Sequence, residues 1–143
     1  MKVDLPSVAF EYAFVCDDVR QDTNAKYIFI GAYVNNILLT ETPAFIRLRL
    51  VMRFYPKVSK FSLGLRISLN GKVLKIIDAT IMSPLLDPET LPSPDLDLDV
   101  LGPGTLSFDV TDEDISAGAG PDVRWSRLYE IPVINVAPTG PLS

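Results

Sequence analysis

The chain is predicted to fold as an all-β, two-sheet antiparallel sandwich of the immunoglobulin-like or C2-like sort. Three observations carry this. Apolar and polar residues alternate with period two along most of the chain, whereas apolar residues at helical spacing behind caps do not occur. Asn70-Gly71 sits between two such alternating runs, the strongest short hairpin signal. Turn signals divide the chain into about seven to eight strands, the spacing of a sandwich rather than a closed barrel. The Cys-Trp-Cys set of antibody domains is absent.

The first strand is expected over Val8, Phe10, Tyr12, Phe14 and Cys16, all on one face, with a turn at Asp17 and Asp18. Lys26 to Val34 reads as a near-continuous apolar second strand, ended by a turn at Asn35-Asn36. Ile46, Leu48, Leu50, Met52 and Phe54 alternate with Arg47, Arg49, Val51 and Arg53 in a half-buried strand stopped by Tyr55-Pro56. Phe61, Leu63, Leu65, Ile67 and Leu69 form the next inward row, and Asn70-Gly71 leads into Lys72 to Ile81. Residues 83–104 carry Pro84, Pro88, Pro92, Pro94 and Pro103, so this Pro/Asp-rich excursion is expected as loop or sheet edge. Leu106, Phe108 and Val110 resume a short strand. Val123 to Val136 supplies one or two more, broken at Pro132.

With 143 residues, 48% of them apolar and 22% charged, the chain fits one domain over residues 1–136 and a flexible tail over 137–143. Histidine is absent, which removes Ser-His-Asp and Cys-His catalysis, histidine metal ligation and histidine pH switching. The single cysteine, Cys16, has no internal disulfide partner and reads as a small buried apolar side chain. The N-terminus lacks a basic region ahead of an apolar stretch, and Arg47, Arg49 and Arg53 interrupt the most hydrophobic region. A cytoplasmic protein with no signal peptide, no membrane contact and no cofactor is expected.

The segment Phe10-Glu11-Tyr12-Ala13-Phe14-Val15-Cys16-Asp17-Asp18-Val19-Arg20, followed by Asn24, Lys26 and Ile30-Gly31-Ala32-Tyr33, has an unusual order of residue types. Its motif, Cys-Asp-Asp-Val-Arg, then Lys, then Ile-Gly-x-Tyr, resembles the start of a family of small uncharacterised bacterial proteins. The resemblance covers about the first quarter of the chain and implies a β-sandwich in a bacterial cytoplasm. It brings no activity, cofactor or catalytic set. Read from the residues alone, Asp17 and Asp18 can satisfy backbone N–H groups, Arg20 can pair a carboxylate and Asn24 can shape the return. The functional alternative is a calcium-dependent binding module, with Asp17, Asp18 and Asp22 as hard-cation ligands at one loop end, or Asp17 and Asp18 joined there by Asp109, Asp112 and Asp114.

Net charge is −5, from 13 basic and 18 acidic residues, but the signs are segregated. From Ala44 to Ile77 every charged residue is basic, and from Asp78 to Asp122 every one is acidic. A two-residue loop at Asn70-Gly71 would set Ser68 against Val73 and Arg66 against Lys75, a destabilising like-charge pair. With Arg47, Arg49 and Arg53 beside it, a cationic sheet face follows. One counterpart is internal, the excursion folding across that face with Asp95, Asp97 and Asp99 on one side and Leu96, Leu98 and Val100 on the other. The other is an acidic protein partner or a second copy, with Arg47, Arg49, Arg53, Arg66 and Lys75 as the binding residues. Nucleic acid fits poorly, since the sequence pI is about 4.6 and no recognition motif is present.

Other chemistry fails its templates. Asp95-x-Asp97-x-Asp99 begins like an EF-hand loop, but Val100 stands where glycine is needed and Leu106 where a bidentate glutamate belongs. Gly102-Pro103-Gly104 and Gly118-Ala119-Gly120 lack the strand-to-helix setting of a dinucleotide loop. Paired carboxylates could run glycosidase-like chemistry, but solvated loop carboxylates explain them more simply. Trp125, between Arg124 and Arg127, reads as a sandwich anchor or a stacking residue. The expectation for function is a non-enzymatic protein-interaction domain working through its basic face.

Overall fold

The computed structural model describes residues 2–24 and 26–136; the tail over 137–143 lies outside the described residues. Among the described residues, eleven strands and no helix follow one another. They are β1 (Val3–Asp4), β2 (Val8–Gln21), β3 (Tyr27–Ala32), β4 (Ile37–Leu39), β5 (Ala44–Pro56) and β6 (Lys60–Leu69), then β7 (Lys72–Met82), β8 (Glu89–Pro92), β9 (Leu96–Val100), β10 (Gly104–Thr111) and β11 (Ser126–Asn135).

Two sheets pack face to face. In the first, β2 and β5 pair centrally, β1 and β3 share the far side of β2, and β8 and β9 share the far side of β5. The second has the order β4-β11-β10-β6-β7, antiparallel except where β4 runs parallel to β11. Between them lies the core, with Phe10, Leu48, Leu50 and Phe54 from the first sheet and Ile67, Leu106, Phe108, Leu128 and Ile131 from the second, all fully buried. Each such side chain contributes about 1.5–3 kcal/mol on leaving water. Phe54 joins the sheets, its ring 5.9 Å from Phe10 and 6.1 Å from Phe61.

The inward rows of β5 and β6 are those expected from their alternation. Asn70 (φ 52°) and Gly71 (φ 81°) make the expected tight turn, and Asn70 also grips the start of β10. Its Oδ1 accepts the Thr105 N–H at 2.9 Å, and its Nδ2 donates to the Pro103 carbonyl at 3.1 Å. The strand count exceeds expectation because short pieces share one neighbour. β8 and β9 run along β5 on either side of Ser93, which exchanges hydrogen bonds with Leu50.

Four local expectations are corrected. A bulge between Phe10 and Tyr12 turns β2 over, so Phe10, Ala13 and Val15 enter the core while Tyr12 is exposed. The chain does not turn at Asp17-Asp18; β2 continues to Gln21, and Asp22 closes the hairpin by accepting the N–H groups of Asn24 and Lys26, each at 2.9 Å. A register shift between Ile67 and Ser68 places Lys75 opposite Ile67 and Arg66 opposite Ile76, which removes the like-charge pair. β11 runs through Pro132 unbroken, because β4 begins pairing only at Val133 and no neighbour on that side needs the missing N–H.

Candidate functional site

The basic residues find their counterparts within the chain. Cross-strand register sets Arg47 opposite Asp97, and the guanidinium Nε lies 2.6 Å from the carboxylate. That contact holds the Asp97 carboxyl below its ordinary range and the Arg47 guanidinium above its own. Arg49 lies 3.5 Å from Asp95, and Arg53 lies 3.8 Å from Glu11. Leu96, Leu98 and Val100 from the same acidic segment are buried. Of the two counterparts expected for this face, the internal one is present, so Arg47, Arg49 and Arg53 do not form an uncompensated cationic face.

Arg66 is matched on the second sheet. Asp109, only 3% exposed, stands in register between Arg66 of β6 and Arg127 of β11. Its Oδ2 accepts from Arg66 at 3.0 Å and its Oδ1 from Arg127 at 2.5 Å. Glu130 takes a second Arg127 nitrogen at 2.9 Å, and the Arg66 guanidinium covers the half-buried Trp125 ring, 4.7 Å from its centroid. Lys75 is half-buried, and its charge adds to the lowering at Asp97.

The aspartates proposed as cation ligands do not converge. Asp109 is saturated by two arginines. Asp112 accepts the Ser7 N–H at 2.9 Å, and Asp114 caps Ser116 at 2.9 Å, which lowers its pKa. Asp17 and Asp18 lie toward the other end of β2. Ten positions (7 to 17) separate Ser7 from Asp17, roughly 30 Å of extended chain. No group of three or more Cys, Asp or Glu side chains among the described residues is placed to hold a metal ion.

The Cys-Asp-Asp-Val-Arg and Ile-Gly-x-Tyr segments meet across β2 and β3. Asp17 Oδ1 accepts the Tyr33 hydroxyl at 2.5 Å. Gly31 has φ 68°, and a Cβ there would collide with the Asp17 carboxylate, so glycine is required both for the backbone and for the close approach. Asp18 accepts the Val19 N–H at 2.8 Å and the Arg20 Nε–H at 3.3 Å. Cys16 is fully buried beneath Arg49 and Val19, and burial pushes its thiol pKa up, away from thiolate reactivity. The motif builds a hairpin.

That hairpin carries a continuously exposed apolar strand. β5 pairs with β2 only as far as Cys16, so the distal part of β2 pairs with β3 alone. β3 reads Tyr-Ile-Phe-Ile-Gly-Ala, and every residue is exposed, with Tyr27, Ile28, Phe29 and Ile30 between 37% and 48%. Apolar runs of this kind are ordinarily buried on both faces. An aromatic row crosses the strands: Tyr12 stacks on Phe14 at 6.2 Å, Phe14 meets Phe29 edge-on at 5.1 Å, and Phe29 stacks on Tyr27 at 6.3 Å. Sequence reasoning identified the strand and missed its exposure, which depends on how far the second sheet reaches.

A second apolar feature is a cleft of about 160 Å³ between β7 and β8, lined by Met52, Leu63, Leu65, Ile77, Ile81 and Leu91. No helix of the described residues is long and apolar enough to cross a membrane. No protein-family model matches the chain, and no curated protein matches it.

Proposed function

We propose that the protein is a non-enzymatic interaction domain that binds a protein partner through the β2–β3 hairpin. One observation carries this reading: a six-residue strand, apolar throughout and exposed throughout, pairs on one edge only among the described residues. Its open N–H and C=O groups can take an added strand, and the aromatic row beside it can hold side chains of that strand. The basic face is a weaker candidate, because three of its arginines already contact Asp95, Asp97 and Glu11.

Comparative pull-downs test this, with the wild-type chain, Phe29→Lys and the double variant Arg47→Glu with Arg49→Glu as baits, a differently tagged second copy of the chain being included among the preys. Loss of the bound proteins with Phe29→Lys and their retention with the double variant is the expected outcome. Retention with Phe29→Lys and loss with the double variant would return the interaction to the basic face and sink the hairpin reading.

A further inference from the structure

We infer that the occupant of the β3 edge is a second copy of this chain, added antiparallel about a two-fold axis through Phe29, an inference that rests on the hairpin reading above. The other sheet edges carry devices that discourage such pairing. β1 and β4 are two and three residues long, β7 bears Lys72, Lys75 and Asp78, β8 contains Pro92 between Pro88 and Pro94, and β9 bears Asp97 and Asp99. β3 has none of these: no charge, no proline, and enough length for three two-residue ladder steps.

The backbone fixes the register. Asp22 donates its N–H to the Lys26 carbonyl at 2.9 Å, and antiparallel pairs alternate between bonded and non-bonded positions. Ile28 and Ile30 therefore bond to β2, while Tyr27 and Phe29 turn their N–H and C=O groups outward; the phase changes at Gly31 (φ 68°), where the ladder lacks the Asp17–Gly31 rung and the Tyr33 N–H bonds to the Val15 carbonyl at 3.0 Å. Two identical edges whose free groups lie at 27 and 29 pair best with Phe29 opposite Phe29 of the second copy. Tyr27 then faces Gly31, and Ile28 faces Ile30. The aromatic row continues across the axis into its own copy.

Charge selects the antiparallel sense. Lys26, exposed and without an ion-pair partner among the described residues, flanks one end of β3, and at the other end the Asp17 carboxylate packs over Gly31 with no cation on it among the described residues, Asp18 being paired with Arg20. An antiparallel copy brings each Lys26 toward the acidic end of its mate, whereas a parallel copy sets Lys26 beside Lys26. The apolar area is modest. Four large side chains about two-fifths exposed offer roughly 300 Å² per copy, against roughly 800 Å² per partner in a standard interface. The dimer is therefore expected to be of micromolar strength.

Sedimentation velocity over about 1 to 100 μM brackets that strength. Wild type is expected to pass from monomer to dimer, and Phe29→Lys, which sets two ammonium groups at the axis, to stay monomeric with an unchanged circular dichroism spectrum. Independently, oxidised Phe29→Cys should give a covalent dimer and Ile28→Cys should not, because only position 29 meets itself within the Cα separation a disulfide spans. A wild-type chain monomeric at about 100 μM overturns the second-copy inference; if Phe29→Lys still abolishes capture of other proteins, the hairpin reading survives and the strand comes from elsewhere. A dimer unaffected by Phe29→Lys overturns both. Equal cross-linking at 28 and 29 overturns the register.

Discussion

Asp109 shows how one side chain can decide whether a charged face holds. Its carboxylate is almost fully buried, and two guanidiniums in register on either side supply its hydrogen bonds. Removing it leaves two arginines facing each other across β10 without their shared anion. Asp109→Ala is expected to destabilise the fold by about 2–4 kcal/mol, measured by urea unfolding, because the loss of one member of a buried ion pair strands its partners. Replacing Arg127 alone should cost less, since its side chain is half exposed and Arg66 stays with Asp109. Tyr33 offers a test at alkaline pH. Burial first, and the hydrogen bond to Asp17 second, raise its phenol to about 12. The unfolded chain loses that proton near 10, so the stability Tyr33 contributes is complete below about 10 and is lost as pH rises toward about 12. Thermal unfolding followed from pH 9 upward should show a shallower alkaline loss for Tyr33→Phe than for wild type. Tyr129, raised by burial, contributes in the same direction and remains in the variant.

The elements are held by contacts that reach between strands distant in sequence. Gly64 on β6 opens room for Ile115, whose buried side chain folds the 112–125 segment back over the outer face of the second sheet. A Cβ at 64 would sit 2.7 Å from Ile115 Cδ1 and 2.9 Å from Thr111 Cγ2. Gly64→Val is expected to cost about 1–3 kcal/mol through overpacking, and to raise hydrogen exchange in residues 112–125 before it affects β2 or β5. The Asn70-Gly71 turn works across a similar span, since Asn70 ties the β6–β7 hairpin to the first residues of β10. On the first sheet, Gly31 permits the Asp17–Tyr33 contact that stiffens the projecting hairpin. A turn or bulge residue in each case sets where a neighbouring strand can lie.

At the scale of the whole molecule, the arginines of both sheets meet carboxylates within the chain. Three arginines of β5 meet Asp95, Asp97 and Glu11, and Arg66 with Arg127 meets Asp109 and Glu130. Arg47, Arg49 and Arg66 of the basic block thus meet Asp97, Asp95 and Asp109 of the acidic one across neighbouring strands. The β2–β3 hairpin, by contrast, offers a continuous apolar strand with an open edge, which favours β3 over the basic face as the interaction surface. The all-β class, the inward rows of β5 and β6, the Asn-Gly turn and the strand character of β3 were legible in the sequence, because alternation and turn chemistry are local properties of the chain. The choice between internal and external counterparts for Arg47 and Arg49 was not, since it depends on β9 pairing with β5 across fifty positions (47 to 97). The bulge at Glu11 was hidden for a related reason: an unbroken alternation gives no sign of where one extra residue turns the strand over. The same holds for the dispersal of Asp17 and Asp18 from Asp109, Asp112 and Asp114, because proximity in a sandwich is set by strand direction and not by composition. Sequence alone determined the all-β class, the longer strands and which residue types must find partners. The tertiary structure decided which partners they find and which apolar strand is left with an open edge, because register and sheet extent are fixed only when distant strands meet.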